Sequence, residues 1–219
     1  MTTSADVAAT IRHDARRLAG ASTPDVRAIR RRYSKLLADE PAGFVLAVVK
    51  SLLAEKTWTV RVIAFELLVG HRAAMSRLSA SMVEEMAVGL SDWGSVDLLG
   101  VTVAGTAWRE GRVSDAHVLR WARSKDRWRR RLSLVATVPL NSKARGGSGD
   151  AERTLALCRL HADDRDDMVV NALSWALREL SKRNARSVVK FLREEDARLA
   201  PRVMREVRTK LETGRKVRR

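Results

Sequence analysis

Three tryptophans recur along this chain at an interval of 35 residues, at Trp58, Trp93 and Trp128. From about residue 41 the segments with helical periodicity come in pairs, and each of these tryptophans opens the second helix of a pair. A period of about 34–47 residues built from helix pairs is typical of helical-repeat solenoids. The tetratricopeptide consensus is absent, so the register predicts an all-α, HEAT-like solenoid in which the tryptophan-led helices line a basic concave face. The alternative is a helical protein in which the spacing is a coincidence.

Helical periodicity covers most of the sequence, and we see no convincing pair of strands. Thr23 and Pro24 form a helix start, because the proline stands at the first helical position, where its missing N–H does no harm. Pro41 and Pro201 are expected to open helices in the same way. We predict one HEAT-like domain over 1–219, with 214–219 a frayed basic tail. The predicted helices, with ends good to about 2–4 residues, are 4–19, 24–38, 41–55, 58–70, 80–90, 93–109, 114–124, 127–138, 150–162, 165–182, 184–194 and 200–213.

The charge of the chain points to an anionic partner. Its 42 Lys+Arg against 26 Asp+Glu give a formal net charge of +16, and 33 of the basic residues are arginine. Arginine forms bidentate hydrogen bonds with phosphate, so an excess of this size and kind favours nucleic acid as the partner.

Several kinds of site are disfavoured by residue type. Cys158 is the only cysteine, which excludes an internal disulfide and a four-thiolate zinc site. The four histidines, His13, His71, His117 and His161, are far apart in sequence. We expect no metal and no cofactor. No secretory signal and no charge-free stretch of 18 residues is evident, so we expect a cytoplasmic protein without a membrane segment. We also expect it to be monomeric and, as a DNA-binding protein, associated with the nucleoid.

The segment from Ser91 to Gly100 places an acid where one is not expected. With Ser91 or Asp92 as N-cap, Trp93 and Asp97 are four positions apart and share one helix face. Asp97 then runs into an apolar stretch, where a carboxylate needs a reason to be present. It is either a salt-bridge partner or cap, or a functional group on a basic surface. An acid there weakens phosphate binding, so the second interpretation implies a role other than affinity.

Two further segments carry candidate residues. Arg129, Arg130 and Arg131 spread over about 200° of a helix, so they cannot all serve one face. Either Arg131 points into the groove while the other two form a solvated edge, or the reverse. The predicted helix 165–182 carries Trp175, and a tryptophan in so amphipathic a helix is more often core than site.

These motifs, in this order, resemble the AlkD family of bacterial DNA glycosylases over roughly residues 20–213. The family is built of HEAT-like repeats and removes positively charged alkylated purines. The resemblance implies that Asp97 is the catalytic carboxylate, that Trp93 and Trp175 are the aromatic walls, and that Arg131 is the basic partner. Two features depart from the family: residues 9–20 contain no tyrosine, and the Gly-rich loop 141–150 is longer, so that lesion choice could extend to bulkier adducts.

The expected function is therefore hydrolysis of the N-glycosidic bond of cationic N3- or N7-alkylated purines, bulky adducts included, in double-stranded DNA. No lysine stands near Trp93, Asp97 or Arg131 in the motifs that would carry the chemistry, which argues against a Schiff-base lyase. The alternatives are a non-catalytic DNA-binding scaffold and a protein-binding module with an acidic partner. The residues expected to contact DNA are Arg61, Arg129, Arg130, Lys143, Arg145, Arg178 and Lys182.

Overall fold

The computed structural model describes residues 2–17 and 23–215, and within these ranges every regular element is a helix. The chain divides into two compact units, one ending at Gly89 and one beginning at Leu90. The helices of the first unit are α1 (Ser4–Arg16), α2 (Thr23–Leu36), α3 (Ala42–Leu53), α4 (Trp58–Gly70), α5 (Arg72–Ser76) and α6 (Ala80–Ala87). No helix in the described ranges is long and apolar enough to cross a membrane.

The second unit carries the remaining helices. They are α7 (Trp93–Leu98), α8 (Gly105–Arg109), α9 (Asp115–Ala122), α10 (Arg127–Val135), α11 (Val138–Asn141), α12 (Ala151–Leu160), α13 (Asp167–Ser181), α14 (Ala185–Glu194) and α15 (Pro201–Thr213). A π-helical segment, Leu99–Ala104, joins α7 to α8, and a 3₁₀ turn, Lys143–Arg145, follows α11. Residues 216–219 of the predicted basic tail lie outside the described ranges, and the single-domain expectation stays a prediction.

The predicted all-α fold is confirmed, and each predicted helix has its counterpart. The short elements α5, α11 and the 3₁₀ turn were missed because three to five residues are too few to show a helical period. The prediction of one regular helix over 93–109 is wrong in its middle, where the backbone is π-helical. Pro201 opens α15 as expected, whereas Pro41 takes the N-cap position and α3 begins one residue later.

Two layers of helices build the second unit. The helices α7, α10, α13 and α15 pack side by side in that order, and α9, α12 and α14 pack against α10 and α13 from behind. Trp93 is the first residue of α7 and Trp128 the second of α10, so the tryptophan register marks equivalent helices of successive pairs. In the first unit, Trp58 opens α4, which packs against α2 and α3.

Ion pairs repeat with the period of the helix pairs. Arg130 bonds to Asp164, 34 residues further on, with Nε 2.7 Å from Oδ2. Arg159 bonds to Glu195, 36 residues further on, with Nε 2.8 Å from Oε1. An arginine of one repeat therefore reaches an acid of the next, and these contacts fix how adjacent repeats align.

Two glycines let the segment that follows α7 lie close to α10 and α11. A Cβ on Gly100 would come within 2.9 Å of Val135 Cγ1, and one on Gly105 within 2.4 Å of the Ala136 carbonyl oxygen and 2.8 Å of Pro139 Cγ. A backbone oxygen cannot swing aside as a flexible side chain can. Gly105 is thus required by the packing, although glycine is unfavourable inside a helix.

We expect Gly105→Ala to lower the free energy of unfolding by about 1–3 kcal/mol, because the added methyl overpacks a contact with backbone. The matched control is Gly43→Ala in α3, where a Cβ meets nothing within 4 Å. That change should raise stability by about 0.5–1 kcal/mol. Urea unfolding followed by circular dichroism measures both, and equal stability of the two variants would contradict the packing argument.

Candidate active site

An open cleft of about 1200 Å³ lies in the second unit, walled by α7, α10, α13 and α15. These are the four helices that form one layer of the unit. The cleft brings together residues that are up to 117 positions apart in sequence. Its lining residues are Trp93, Asp97, Arg131, Asp167, Met168, Asn171, Trp175, Arg178, Glu179, Lys182, Arg202, Arg205, Glu206 and Lys210.

The first turn of α7 presents a tryptophan and an acid to this cleft. Asp92 is the N-cap, and its Oδ1 accepts a hydrogen bond of 2.8 Å from the backbone N–H of Ser95. This start places Trp93 at the first helical position and Asp97 one turn later. Trp93 is 61% exposed, which is unusual for so large an apolar side chain. An indole this exposed does not fill a core, and together with Asp97 it lines the cleft.

Asp97 is held by Arg131 in a bidentate ion pair between α7 and α10. Nε of Arg131 lies 2.7 Å from Oδ1 of Asp97, and Nη2 lies 2.7 Å from Oδ2. The remaining terminal nitrogen, Nη1, donates to the carbonyl oxygen of Met168 at the start of α13. The Arg131 side chain is 4% exposed and that of Asp97 17%. Arg131 is therefore committed to protein partners on every side, while one edge of Asp97 still faces the cleft.

The glycine and the π-helical segment after α7 explain why the two side chains meet. Gly100 lies against Leu132 and Val135 of α10 without a Cβ of its own. This close approach brings α7 near enough to α10 for a carboxylate as short as that of Asp97 to reach a guanidinium. Of the three successive arginines, Arg131 lies on the groove side, but Arg129 and Arg130 are half-buried and do not form the solvated edge that this alternative included.

Two opposing effects act on the acidity of Asp97. Burial raises the pKa of its carboxyl group, the two hydrogen bonds from Arg131 lower it, and the charge of Asp92 adds to the increase. Burial prevails, so the pKa lies above the usual value for aspartate. A carboxylate with a raised pKa is more basic than an exposed one, which suits a group that must attract positive charge or a proton of water.

The wall formed by α13 carries Trp175, Arg178 and Lys182. Trp175 is half-buried and lines the cleft, so it belongs only in part to the core. Arg178 donates from Nε to the carbonyl and the hydroxyl oxygen of Ser174, at 3.2 Å each. Lys182 Nζ lies 2.6 Å from Oε2 of Glu179. Both cations predicted to contact DNA thus already have partners within the protein.

The helix α15 was predicted from the sequence, but its contribution to the site was not. It contributes Arg202, Arg205, Glu206 and Lys210 to the cleft. The sequence does contain an indication of this role, because the charged residues at 202, 206 and 210 recur every four positions and share one face of a helix. This face is hard to distinguish in the sequence, since arginines also stand on the other faces of the helix.

Three of the predicted DNA contacts, Arg61, Arg129 and Arg130, do not line the cleft. Arg61 belongs to the first unit, where its buried side chain donates from Nη2 to the Gly89 carbonyl oxygen at 3.2 Å. Arg130 is engaged by Asp164 and by carbonyl oxygens in the turn before α10. Arg129 is half-buried.

The Gly-rich loop between α11 and α12 is also away from the cleft lining. Arg145 donates from Nη1 to the Val101 carbonyl oxygen at 3.3 Å, and Lys143 is exposed. Gly147 fits against the backbone of Pro139 and Leu140, where a Cβ would come within 2.4 Å of an oxygen. The loop joins two helix pairs, as expected.

Neither a metal site nor a reactive thiol is formed by the residues that the structure describes. No group of three or more His, Cys, Asp or Glu side chains is placed to hold a metal ion there. Cys158 is fully buried in α12, and burial raises the pKa of its thiol. Its sulfur therefore behaves as a small apolar group.

Comparison with known proteins agrees with this architecture. The family model described as "DNA alkylation repair enzyme" matches residues 2–211. Among solved structures, a "predicted DNA alkylation repair enzyme" from Enterococcus faecalis matches with a TM-score of 0.68 at 18% sequence identity, over 96% of this chain and 95% of that one. No curated protein sequence matches. At this identity the solved structure supports the fold, and the family model carries the relationship.

We expect Arg131→Ala to lower the free energy of unfolding by about 3 kcal/mol, because it leaves Asp97 partly buried without its cation. Arg208→Ala serves as the control: Arg208 is an exposed arginine whose partner, Asp196, is equally exposed. Its loss should cost less than about 1 kcal/mol. Chemical denaturation of both variants measures the two free energies of unfolding. A similar decrease in both would show that the Asp97–Arg131 pair contributes no more to stability than an exposed ion pair.

Proposed function

This chain belongs to the DNA alkylation repair enzyme family, and we propose that it is a monofunctional DNA glycosylase that hydrolyses the N-glycosidic bond of cationic N3- or N7-alkylated purines in duplex DNA. The observation that carries the proposal is Asp97, a carboxylate held in place by a buried arginine and exposed at one edge to a cleft between two tryptophans. This arrangement matches what the reaction needs.

The chemistry requires little from the protein at the base itself. An N3- or N7-alkylated purine already carries a positive charge, so it can leave without protonation by a general acid. As the bond to C1′ lengthens, positive charge develops on the deoxyribose, and water must then add to C1′. A fixed negative charge near C1′ stabilises this state, and no amine nucleophile or metal is needed.

Asp97 supplies that charge in our proposal. The Arg131 guanidinium fixes the orientation of the carboxylate before substrate arrives, so little reorganisation is needed during the reaction. The edge that faces the cleft is free to contact C1′ and to accept a hydrogen bond from the attacking water. Raising the pKa of Asp97 by burial also makes the carboxylate a better acceptor for the proton that this water loses.

The tryptophans provide faces for a cationic sugar and base. Trp93 and Trp175 both line the cleft with Asp97, one from α7 and the other from α13. Aromatic faces attract cations through their quadrupole, by about 0.5–2 kcal/mol depending on how far water is excluded. Packed against deoxyribose, the rings would also keep bulk water from the reacting carbon.

Arg131 acts as a positioning residue for Asp97 rather than as a phosphate ligand. The Arg131 side chain is only 4% exposed, so it has no open surface for a DNA phosphate. Its hydrogen bonds to Asp97 and to the Met168 carbonyl also occupy all three guanidinium nitrogens.

The size and openness of the cleft bear on which lesions are accepted. A volume of about 1200 Å³ is above the range of about 300–1,000 Å³ usual for small-molecule pockets. A base extruded into a closed pocket would be limited by its walls, whereas an open cleft leaves room beside the sugar. We therefore propose that bulky N3 and N7 adducts are substrates together with methylated purines.

Asp97→Asn is expected to reduce the rate of 7-methylguanine release from duplex DNA by at least about 100-fold, because the amide keeps the shape and removes the charge. Binding to the same duplex should persist. Single-turnover assays with excess protein, in which abasic sites are cleaved and counted, measure the rate.

The matched control for this variant is Asp164→Asn. Asp164 is also a partly buried aspartate paired with an arginine 34 residues away, and it does not line the cleft. Its rate should stay close to that of the unchanged protein. Base release that survives Asp97→Asn would exclude the assigned role, and no release by the unchanged protein at any lesion would favour a non-catalytic DNA-binding scaffold.

The rate of base release, corrected for spontaneous depurination, should rise with pH as Asp97 loses its proton. Because burial raises the pKa of Asp97, the midpoint should lie above 3.8, the usual aspartate value. Trp93→Phe should lower the rate without moving this midpoint. A midpoint at or below 3.8, measured where circular dichroism shows the protein folded, would contradict the assignment.

A further inference from the structure

The charges that line the cleft are more balanced than the net charge of the chain suggests. Six cations and four carboxylates line it, although the whole chain carries +16. Which of these cations can bind DNA depends on which are already paired. The lining cations are Arg131, Arg178, Lys182, Arg202, Arg205 and Lys210, and the carboxylates are Asp97, Asp167, Glu179 and Glu206.

Glu206 neutralises two of the cations. Its Oε1 lies 2.9 Å from Nε of Arg202, and its Oε2 lies 3.6 Å from Nη2 of Arg178 and 2.7 Å from the Ser174 hydroxyl. Although burial alone raises the pKa of Glu206, hydrogen bonds from Arg202 and Ser174 hold it below its usual range. Glu206 is thus a fixed anion within the cleft wall.

Glu179 neutralises a third cation. Its Oε2 lies 2.6 Å from Lys182 Nζ, and the Glu179 side chain is buried. Since Arg131 is held by Asp97, three carboxylates engage four of the six cations.

Arg205 and Lys210 differ from the others, because no carboxylate among the described residues pairs with either. Both lie on α15, and their positions are five residues apart, about 7.5 Å along the helix axis. Arg205 is exposed, and Lys210 donates to the carbonyl oxygen of Gly214 at the end of the helix. Both residues line the cleft, and neither has a carboxylate partner among the described residues.

We infer that α15 is the wall that grips the DNA backbone, through Arg205 and Lys210, and that Glu206 and Glu179 withhold Arg178, Arg202 and Lys182 from phosphate. This inference rests on the proposed DNA substrate. It assigns the phosphate contacts to residues that the sequence did not single out, and it gives the two glutamates a role in limiting affinity.

The physical basis is the release of counterions. Each phosphate neutralised by a free cation releases condensed counterions, so the logarithm of the binding constant falls with the logarithm of salt concentration by about 0.9 per contact. A cation that already neutralises a glutamate gains less from a phosphate, because the glutamate is then left without its partner. Free and paired cations in one cleft should therefore contribute differently to the salt dependence.

The test uses the whole chain and an undamaged, fluorescently labelled DNA duplex, with binding followed by anisotropy between 50 and 200 mM salt. Arg205→Gln and Lys210→Gln should each reduce the salt slope by about 0.9 and weaken binding about five- to tenfold near 100 mM. Arg208→Gln is the matched control on the same helix: Arg208 is 59% exposed, pairs with Asp196 and does not line the cleft. Effects of Arg205→Gln and Lys210→Gln no larger than that of the control would overturn the inference.

Glu206→Gln tests the second half of the inference in the opposite direction. It should strengthen binding to undamaged duplex and steepen the salt slope, because Arg178 and Arg202 lose their anion. Circular dichroism checks the fold. If Glu206→Gln does not fold, Glu179→Gln serves instead, because it removes the carboxylate that pairs with Lys182 and also attracts Arg178 and Arg145. Binding that is unchanged or weaker in a folded variant would show that the glutamates do not limit affinity.

Failure of this inference can be told apart from failure of the proposed function. If the unchanged protein releases alkylated purines but Arg205→Gln and Lys210→Gln bind like the control, only the inference is wrong. If the unchanged protein binds duplex through these two residues but releases no base, the glycosylase proposal is wrong and the assignment of the phosphate contacts stands.

Discussion

The bidentate pair between Asp97 and Arg131 is the contact on which the candidate site depends. It joins α7 to α10, and through the bond from Arg131 to the Met168 carbonyl it also reaches the start of α13. A buried pair of this kind contributes little net stability, because desolvation offsets most of its attraction. What it provides is position, since three helices are tied at one point and a carboxylate is left with one edge open to the cleft.

The same spacing that makes the fold repetitive also makes this pair possible. Asp97 and Arg131 are 34 residues apart, and so are Arg130 and Asp164. Both pairs join one helix pair to the next, although Asp97 lies within α7 and Asp164 lies in the turn before α13. The Arg130–Asp164 pair is partly buried and does not line the cleft, so its role is structural. The Asp97–Arg131 pair faces the cleft beside two tryptophans, so the candidate site is a repeat contact placed where a ligand can reach it.

Most of the fold could be read from the sequence, because helical periodicity and the tryptophan interval are local and regular signals. Asp97 could also be found, since an acid that leads into an apolar run conflicts with its surroundings. The state of the cations could not be predicted. Arg178 and Glu206 are 28 residues apart on different helices, and nothing in either segment indicates that they meet. The π-helical segment was hidden as well, since its hydrophobic pattern fits an ordinary helix.

The π-helical segment also sets the rotation, about the helix axis, of α8 relative to α7. A widened turn accommodates about one residue more than a regular α-turn, and one residue corresponds to about 100° of rotation. The residues after Ala104 are therefore rotated, relative to those before Leu99, by an angle that differs from that of a continuous α-helix. The helix α7 turns an acid and an indole toward the cleft, while Ala107 and Trp108 in α8 turn into the core. Loss of a single residue between them would leave a well-formed helix whose acid no longer faced the guanidinium.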